Sequence, residues 1–120
     1  MEETYVDNKV GERTFTVDIT FKSYPEHVPP EDVFERDEDA AYVREQLAAG
    51  NPAAWFCADV TAELQGFTYS VYLGCCSYKS FEQFTSAECG YFPDMVEEAT
   101  DGLLKKFADL RETCTRLGAI

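Results

Sequence analysis

Hydrophobic and polar residues alternate along three stretches of the chain, and this period of two is typical of half-buried β-strands. The first stretch, residues 12–22, directs four large apolar side chains to one side, namely Phe15, Val17, Ile19 and Phe21. Residues 55–64 and residues 67–73 alternate in the same way on either side of Gln65-Gly66. Two alternating runs across a short glycine-containing connection predict an antiparallel hairpin.

The first strand is predicted to end in a loop, because residues 23–30 contain Pro25, Pro29 and Pro30. Proline fixes φ and lacks the backbone donor that a strand needs. Before this strand, residues 4–10 predict a partner strand that turns through Asp7-Asn8.

Apolar residues recur at steps of three and four between residues 93 and 117, which predicts one long helix lying across a small sheet. Its stripe consists of Val96, Ala99, Leu103, Phe107, Leu110, Cys114 and Leu117. A second helix is predicted to begin with Asp37 as N-cap and to stop at Gly50-Asn51-Pro52. Short helical turns are expected at residues 30–32 and 80–84.

The order of these elements predicts an α+β fold in a single domain of 120 residues. We expect an antiparallel sheet of three or four strands, covered on one face by helices that include the long C-terminal one. The other face should be solvated, because the alternate strand positions are polar, namely Thr14, Thr16, Asp18, Thr20, Asp59, Thr61 and Glu63.

The charge of the chain narrows the classes of partner. Ten basic and 23 acidic residues give a formal net charge of -13. Phosphates would repel such a chain, so unaided binding to nucleic acid is nearly ruled out and docking on an anionic membrane is disfavoured. The 45% of hydrophobic residues also exclude a disordered acidic tail.

We expect a soluble, cytoplasmic protein. The first residues show no cationic start or apolar stretch of a secretion signal. The longest apolar run, residues 53–58, is far shorter than the roughly 20 residues that cross a bilayer. Five cysteines make an odd number, which favours free thiols in a reducing compartment over a disulfide framework.

The sequence predicts no catalytic site, no metal site and no cofactor. His27 is the single histidine, and no cysteine has the sequence setting of a nucleophile. Cys75 and Cys76 are adjacent, whereas zinc ligands normally come from Cys-x-x-Cys pairs, so Cys89 and His27 would have to complete the site by chance. The alternative of a thiol or zinc enzyme built on these residues is the least favoured one.

Two acidic clusters are the strongest candidates for a functional surface. The first holds six acids within nine residues: Glu31, Asp32, Glu35, Asp37, Glu38 and Asp39. In the second, Glu97, Glu98 and Asp101 follow Asp94 at helical steps of three and four, where like charges repel each other. For either cluster alone, the helix dipole or a solvated face is at least as good an explanation as a function. The two clusters together favour a function.

That function is imitation of a nucleic acid. Carboxylates held in rows on a rigid scaffold can occupy a groove lined by lysine and arginine, and electrostatic steering speeds such an encounter. The expected partner is therefore the basic surface of a nucleic-acid-binding protein, and the chain binds no nucleic acid directly.

The middle half of the chain resembles a family of small proteins encoded by bacteriophages and plasmids. The resemblance is carried by the run Leu73-Gly74-Cys75-Cys76-Ser77-Tyr78 and by the acidic helix start Asp94-Met95-Val96. It implies a mobile-element setting inside a bacterial host cell and no particular activity. In that setting the chain is similar in class to anti-CRISPR and antirestriction proteins.

The sequence therefore predicts a non-enzymatic inhibitor that blocks DNA binding by a bacterial defence complex, with a CRISPR effector complex as the expected target. The alternative is a phage or plasmid interaction module that binds its partner through aromatic residues, with an acidity that serves only solubility.

Overall fold

The computed structural model describes residues 2–10, 13–86 and 90–118, with side chains from residue 16 onward. Its centre is a four-stranded antiparallel sheet in the order β1-β2-β3-β4. The strands are β1 (Glu2–Val10), β2 (Arg13–Pro25), β3 (Phe56–Leu64) and β4 (Phe67–Cys76). The predicted antiparallel sheet and the β3–β4 hairpin are confirmed.

The first hairpin differs from its prediction at two places. β2 continues to Pro25 instead of ending near Lys22, because β1 pairs with β2 only as far as Thr20 among the described residues. At Pro25 itself the described residues of β1 provide no partner, so its missing N–H removes no ladder bond there. β1 also does not turn at Asp7-Asn8: it continues to Val10 with a register shift between Val6 and Asn8.

In the described residues, three α-helices and two 3₁₀ turns accompany the sheet. The helices are α1 (Asp37–Ala48), α2 (Phe81–Thr85) and α3 (Tyr91–Arg116), and the turns span Pro30–Asp32 and Pro52–Ala54. The helical turn expected at residues 80–84 is present, with the Ser80 hydroxyl accepting the N–H of Gln83 as an N-cap. The α+β class with a long C-terminal helix is therefore confirmed.

The predicted N-cap of α1 is wrong by one residue. Asp37 is the first helical residue, and extended Arg36 holds the cap position without a capping side chain. The Asp37 carboxylate thus favours the helix through the macrodipole and not through a cap bond.

The core lies between the covered face of the sheet and helices α2 and α3. Phe84 of α2 is fully buried and its ring contacts the rings of Phe21 and Phe56, each at a centroid distance of 5.3 Å. The buried residues of this cluster are Val17, Ile19, Phe21, Ala53, Phe56, Ala58, Val60, Ala62, Cys76, Phe84, Phe92, Met95, Val96, Ala99 and Leu103. Ten of these fifteen are positions that the strand alternation and the first half of the α3 stripe predict, and the other five, Ala53, Cys76, Phe84, Phe92 and Met95, were not predicted.

The second half of the α3 stripe does not cover the sheet. Leu103 is fully buried, whereas Leu110 is 44% and Leu117 is 77% exposed. The helix extends past the β3–β4 turn, where the rings of Phe67 and Phe107 meet at 5.0 Å. The predicted long helix thus lies on the sheet in its first half and extends beyond the sheet after Phe107.

No helix within the described ranges covers the opposite face of the sheet, and Thr16, Asp18, Lys22 and Glu63 are exposed there, as predicted. Asp59 departs from this pattern, because it is only 9% exposed and accepts the Thr61 hydroxyl at 2.8 Å.

Candidate acidic interaction surface

Six carboxylates form a single exposed segment between β2 and the first turn of α1. We call Glu31, Asp32, Glu35, Asp37, Glu38 and Asp39 the acidic segment, and all six are exposed. Trp55 anchors this region: its indole donates to the Val28 carbonyl at 2.7 Å, and its ring lies tilted against that of Phe34, with centroids 5.6 Å apart. The structure thus brings the first predicted cluster together on one short stretch of backbone.

Two of these six acids are paired with arginine. Glu31 binds Arg44 of α1 through two hydrogen bonds, one of them at 2.6 Å to Nη2, and this contact lowers the pKa of Glu31 to about 2. The Glu38 carboxylate accepts a hydrogen bond from Arg36 Nη2 at 2.5 Å. Since these pairs are exposed, they contribute little to stability, but they reduce the charge that faces a partner.

The other four acids, Asp32, Glu35, Asp37 and Asp39, have no ion pair within the part of the chain that the structure describes. Their charge is therefore screened by solvent and salt alone. These four carboxylates are the part of the acidic segment that can meet a cationic surface.

The second predicted cluster lines a groove on α3. Asp94, Glu97, Glu98 and Asp101 border an open depression of about 440 Å³, which Lys105 closes at one end. We call it the acidic groove. Its other lining residues are Tyr69 of β4 and Gly102 of α3, and the Tyr69 side chain is 41% exposed.

The sequence analysis missed Tyr69 and Gly102 as parts of this site. A Cβ atom at position 102 would lie 2.6 Å from Cζ of Tyr69, so a side chain there would collide with the ring. The signal available in the sequence was an unexplained glycine inside a strongly periodic helix. It marked the place where α3 approaches β4.

The structure does not join the two clusters. α3 packs on β3 and β4, whereas α1 packs chiefly on the two 3₁₀ turns. Within the described residues, no ion pair joins members of the two clusters. A partner that contacts both would have to span separate parts of the surface.

The cysteine run Cys75-Cys76 has a structural role. β4 carries two residues, Gly74 and Cys75, opposite the single residue Cys57 of β3, and Cys75 has a φ of +57°. The carboxylate of Glu26 accepts the Cys75 N–H at 2.6 Å and the His27 N–H at 2.9 Å, which fixes this bulge. The pKa of Glu26 is lowered, mainly by the Cys75 N–H bond.

The thiols near this bulge are poor nucleophiles. Burial raises the pKa values of Cys57 and Cys75, and it raises the pKa of Cys76 to about 11. Catalysis requires the thiolate, which is scarce at neutral pH in such surroundings. His27 is exposed, and among the described residues no three His, Cys, Asp or Glu side chains form a group that could hold a metal ion. Cys89 lies outside the described residues.

No helix in the described ranges is both long and apolar enough to span a membrane. The chain matches no protein family, no curated protein and no solved structure. The resemblance to phage and plasmid proteins thus stays a prediction.

Proposed function

We propose that the protein is a non-enzymatic inhibitor that binds the cationic nucleic-acid-binding surface of a bacterial defence complex, a CRISPR effector complex in the first instance. The observation that carries this proposal is the acidic segment, where four exposed carboxylates lack an ion pair in the described residues. These carboxylates would occupy positions that DNA phosphates otherwise take, and so block DNA binding.

The acidic groove supplies a second set of contacts of the same sign. Glu97, Glu98 and Asp101 offer carboxylates beside the exposed ring of Tyr69. An arginine side chain that enters this groove would contact both a carboxylate and an aromatic face. Partly desolvated contacts of this kind contribute more to the binding affinity than charges at the rim of an interface do.

The experiment reverses Asp32, Asp37 and Asp39 together to lysine. We expect loss of inhibition with the fold retained, because these side chains are exposed and unpaired in the described structure. The matched control reverses three other exposed acids, Asp18, Glu63 and Asp109, and so changes the net charge by the same amount.

Inhibition of DNA binding is measured for both triple variants at equal concentration, and circular dichroism verifies the fold. Loss in the first variant alone supports the proposal. Full inhibition by the first variant, or equal loss in both, contradicts it.

The second candidate function is a phage or plasmid interaction module whose acidity serves solubility. Two observations favour it: Arg36 and Arg44 already neutralise part of the acidic segment, and Tyr24 and Tyr72 are exposed on the open face of the sheet. Partner binding through these tyrosines would persist in high salt and after charge reversal, whereas phosphate imitation would not.

A further inference from the structure

One edge of the sheet pairs with no further strand in the described structure. β4 is the terminal strand, and its ten residues contain no charged residue and no proline. Natural edge strands usually carry lysine, proline or strong irregularities that prevent pairing with another chain. In β4 the only such feature is the bulge at Gly74 and Cys75, and the segment from Phe67 to Leu73 is regular.

The connection to β3 shows which backbone groups face outward. Gln65 and Gly66 have φ values of +54° and +81°, as in a two-residue type I′ hairpin. In such a hairpin the flanking residues Leu64 and Phe67 form a hydrogen-bonded pair. The alternation of an antiparallel ladder then directs the backbone groups of Phe67, Tyr69 and Val71 to β3, and those of Thr68, Ser70 and Tyr72 to the open edge.

A contact in the structure agrees with this assignment. Lys106 Nζ of α3 donates to the carbonyl oxygen of Thr68 at 3.2 Å, which requires that carbonyl to point away from β3. Lys106 thereby occupies one end of the edge. The N–H and C=O groups of Ser70 and Tyr72 remain as the pairing site, worth about four main-chain hydrogen bonds to an added strand.

Charge decides what kind of strand fits. The acidic groove opens beside Tyr69, on the helix-covered side of the same edge strand. A second copy pairing β4 to β4 about a two-fold axis would bring the carboxylates of two grooves toward each other. An added strand with lysine or arginine at every second residue would direct those side chains to the groove.

We propose that β4 binds an extended, Lys/Arg-containing segment of the partner protein as an additional strand. Main-chain hydrogen bonds to Ser70 and Tyr72 would hold the segment, and Asp94, Glu98 and Tyr69 would select basic side chains at alternate positions. The inference rests on the proposed function for the cationic character of the partner, but it concerns a different surface from the acidic segment.

The test uses a fluorescent nine-residue peptide of alternating arginine and threonine. Ser70→Pro removes the edge-facing N–H, while Ser70→Ala keeps it, and both variants lose the Ser70 Oγ to Thr61 Oγ1 bond of 2.7 Å. We expect Ser70→Pro to weaken peptide binding about tenfold or more and Ser70→Ala to leave it nearly unchanged, as measured by fluorescence anisotropy. Because the Ser70 N–H faces away from β3, the fold should persist in both, which circular dichroism verifies.

A second measurement keeps the protein unchanged, so that it decides the matter even if Ser70→Pro fails to fold. Two peptides have the same sequence, but one is N-methylated on its odd-numbered residues and the other on its even-numbered residues. Strand addition predicts that one of these peptides loses binding and the other retains it, since only one set of N–H groups faces β4.

Equal binding of both methylated peptides would show attraction by charge alone and would overturn strand addition while leaving the proposed function intact. A monomer–dimer equilibrium that Ser70→Pro abolishes would identify a second copy as the occupant and would also overturn the inference. Loss of inhibition in the Asp32, Asp37 and Asp39 variant tests the proposed function separately.

Discussion

The ring of Tyr69 lies directly against the backbone of α3 at Gly102. This contact forms the floor of the acidic groove, since both residues line it between the carboxylates. A glycine inside a helix costs about 1 kcal/mol relative to alanine. The close approach of the Tyr69 ring accounts for a glycine at this position.

We predict that Gly102→Ala changes the sign of its effect with the residue at position 69. In the native chain the added methyl would meet the Tyr69 ring, and this overpacking should lower the free energy of unfolding by about 1 kcal/mol. In a Tyr69→Ala background the same substitution should raise it by about 1 kcal/mol through helix propensity. Urea unfolding of the four proteins measures both effects, and the same sign in both backgrounds would contradict the contact.

The residues of the candidate site were only partly predictable from the sequence. The acids of both clusters could be named because charge and helical spacing are visible in the chain. Tyr69 could not be placed beside them, because its strand alternation shows which side it faces but not which helix crosses it. The pairing of Glu31 with Arg44 was equally hidden, since it joins residues on two separate elements.

At the scale of elements, α3 has two halves with different surroundings. Leu103 is fully buried on the sheet, and Leu110, two turns later in the same apolar stripe, is 44% exposed. The stripe alone does not distinguish them, since its spacing continues unchanged to Leu117. The difference arises because the sheet ends near Phe67, under Phe107.

We predict a large difference between two chemically identical substitutions in α3. Leu103→Ala leaves a cavity in the core and should lower the free energy of unfolding by about 2–5 kcal/mol. Leu110→Ala removes a side chain that is 44% exposed, and it should lower the free energy of unfolding by only about 0.5 kcal/mol. Chemical denaturation of both variants is the measurement. Comparable losses would mean that the C-terminal half of α3 is covered in solution.

The same distinction explains which elements the sequence could predict. β3, β4 and α3 have long, uninterrupted periodicity, and their positions agree with the prediction within two or three residues. The end of β2 and the bulge of β4 do not follow from local pattern. Pro25 is accepted in β2 because β1 is shorter, and Cys75 adopts positive φ because Glu26 binds its N–H.

For the whole molecule, the excess of acids over bases is the dominant property. The net charge is -13, and the described residues contain only three ion pairs, all exposed: Arg36–Glu38, Arg44–Glu31 and Arg116–Glu112. Like charges at this density repel one another and destabilise the compact state. The phosphate-imitating surface that we propose therefore comes with a cost in stability.

This cost predicts that added salt stabilises the protein, because exposed charges farther apart than about 10 Å no longer repel at 0.1 M ionic strength. Screening about 1 kcal/mol of self-repulsion should raise Tm by about 4 °C, measured by calorimetry from low to moderate sodium chloride.

The variant with Asp32, Asp37 and Asp39 reversed to lysine gains six charge units, so its net charge is about -7 and its salt-induced rise in Tm should be smaller. The Asp18, Glu63 and Asp109 control variant has the same net charge and should show a similar reduction if repulsion acts across the molecule. A Tm that does not rise with salt in the native chain would show that the carboxylates do not repel one another appreciably, and the acidic segment would lose its advantage as an imitation of phosphates.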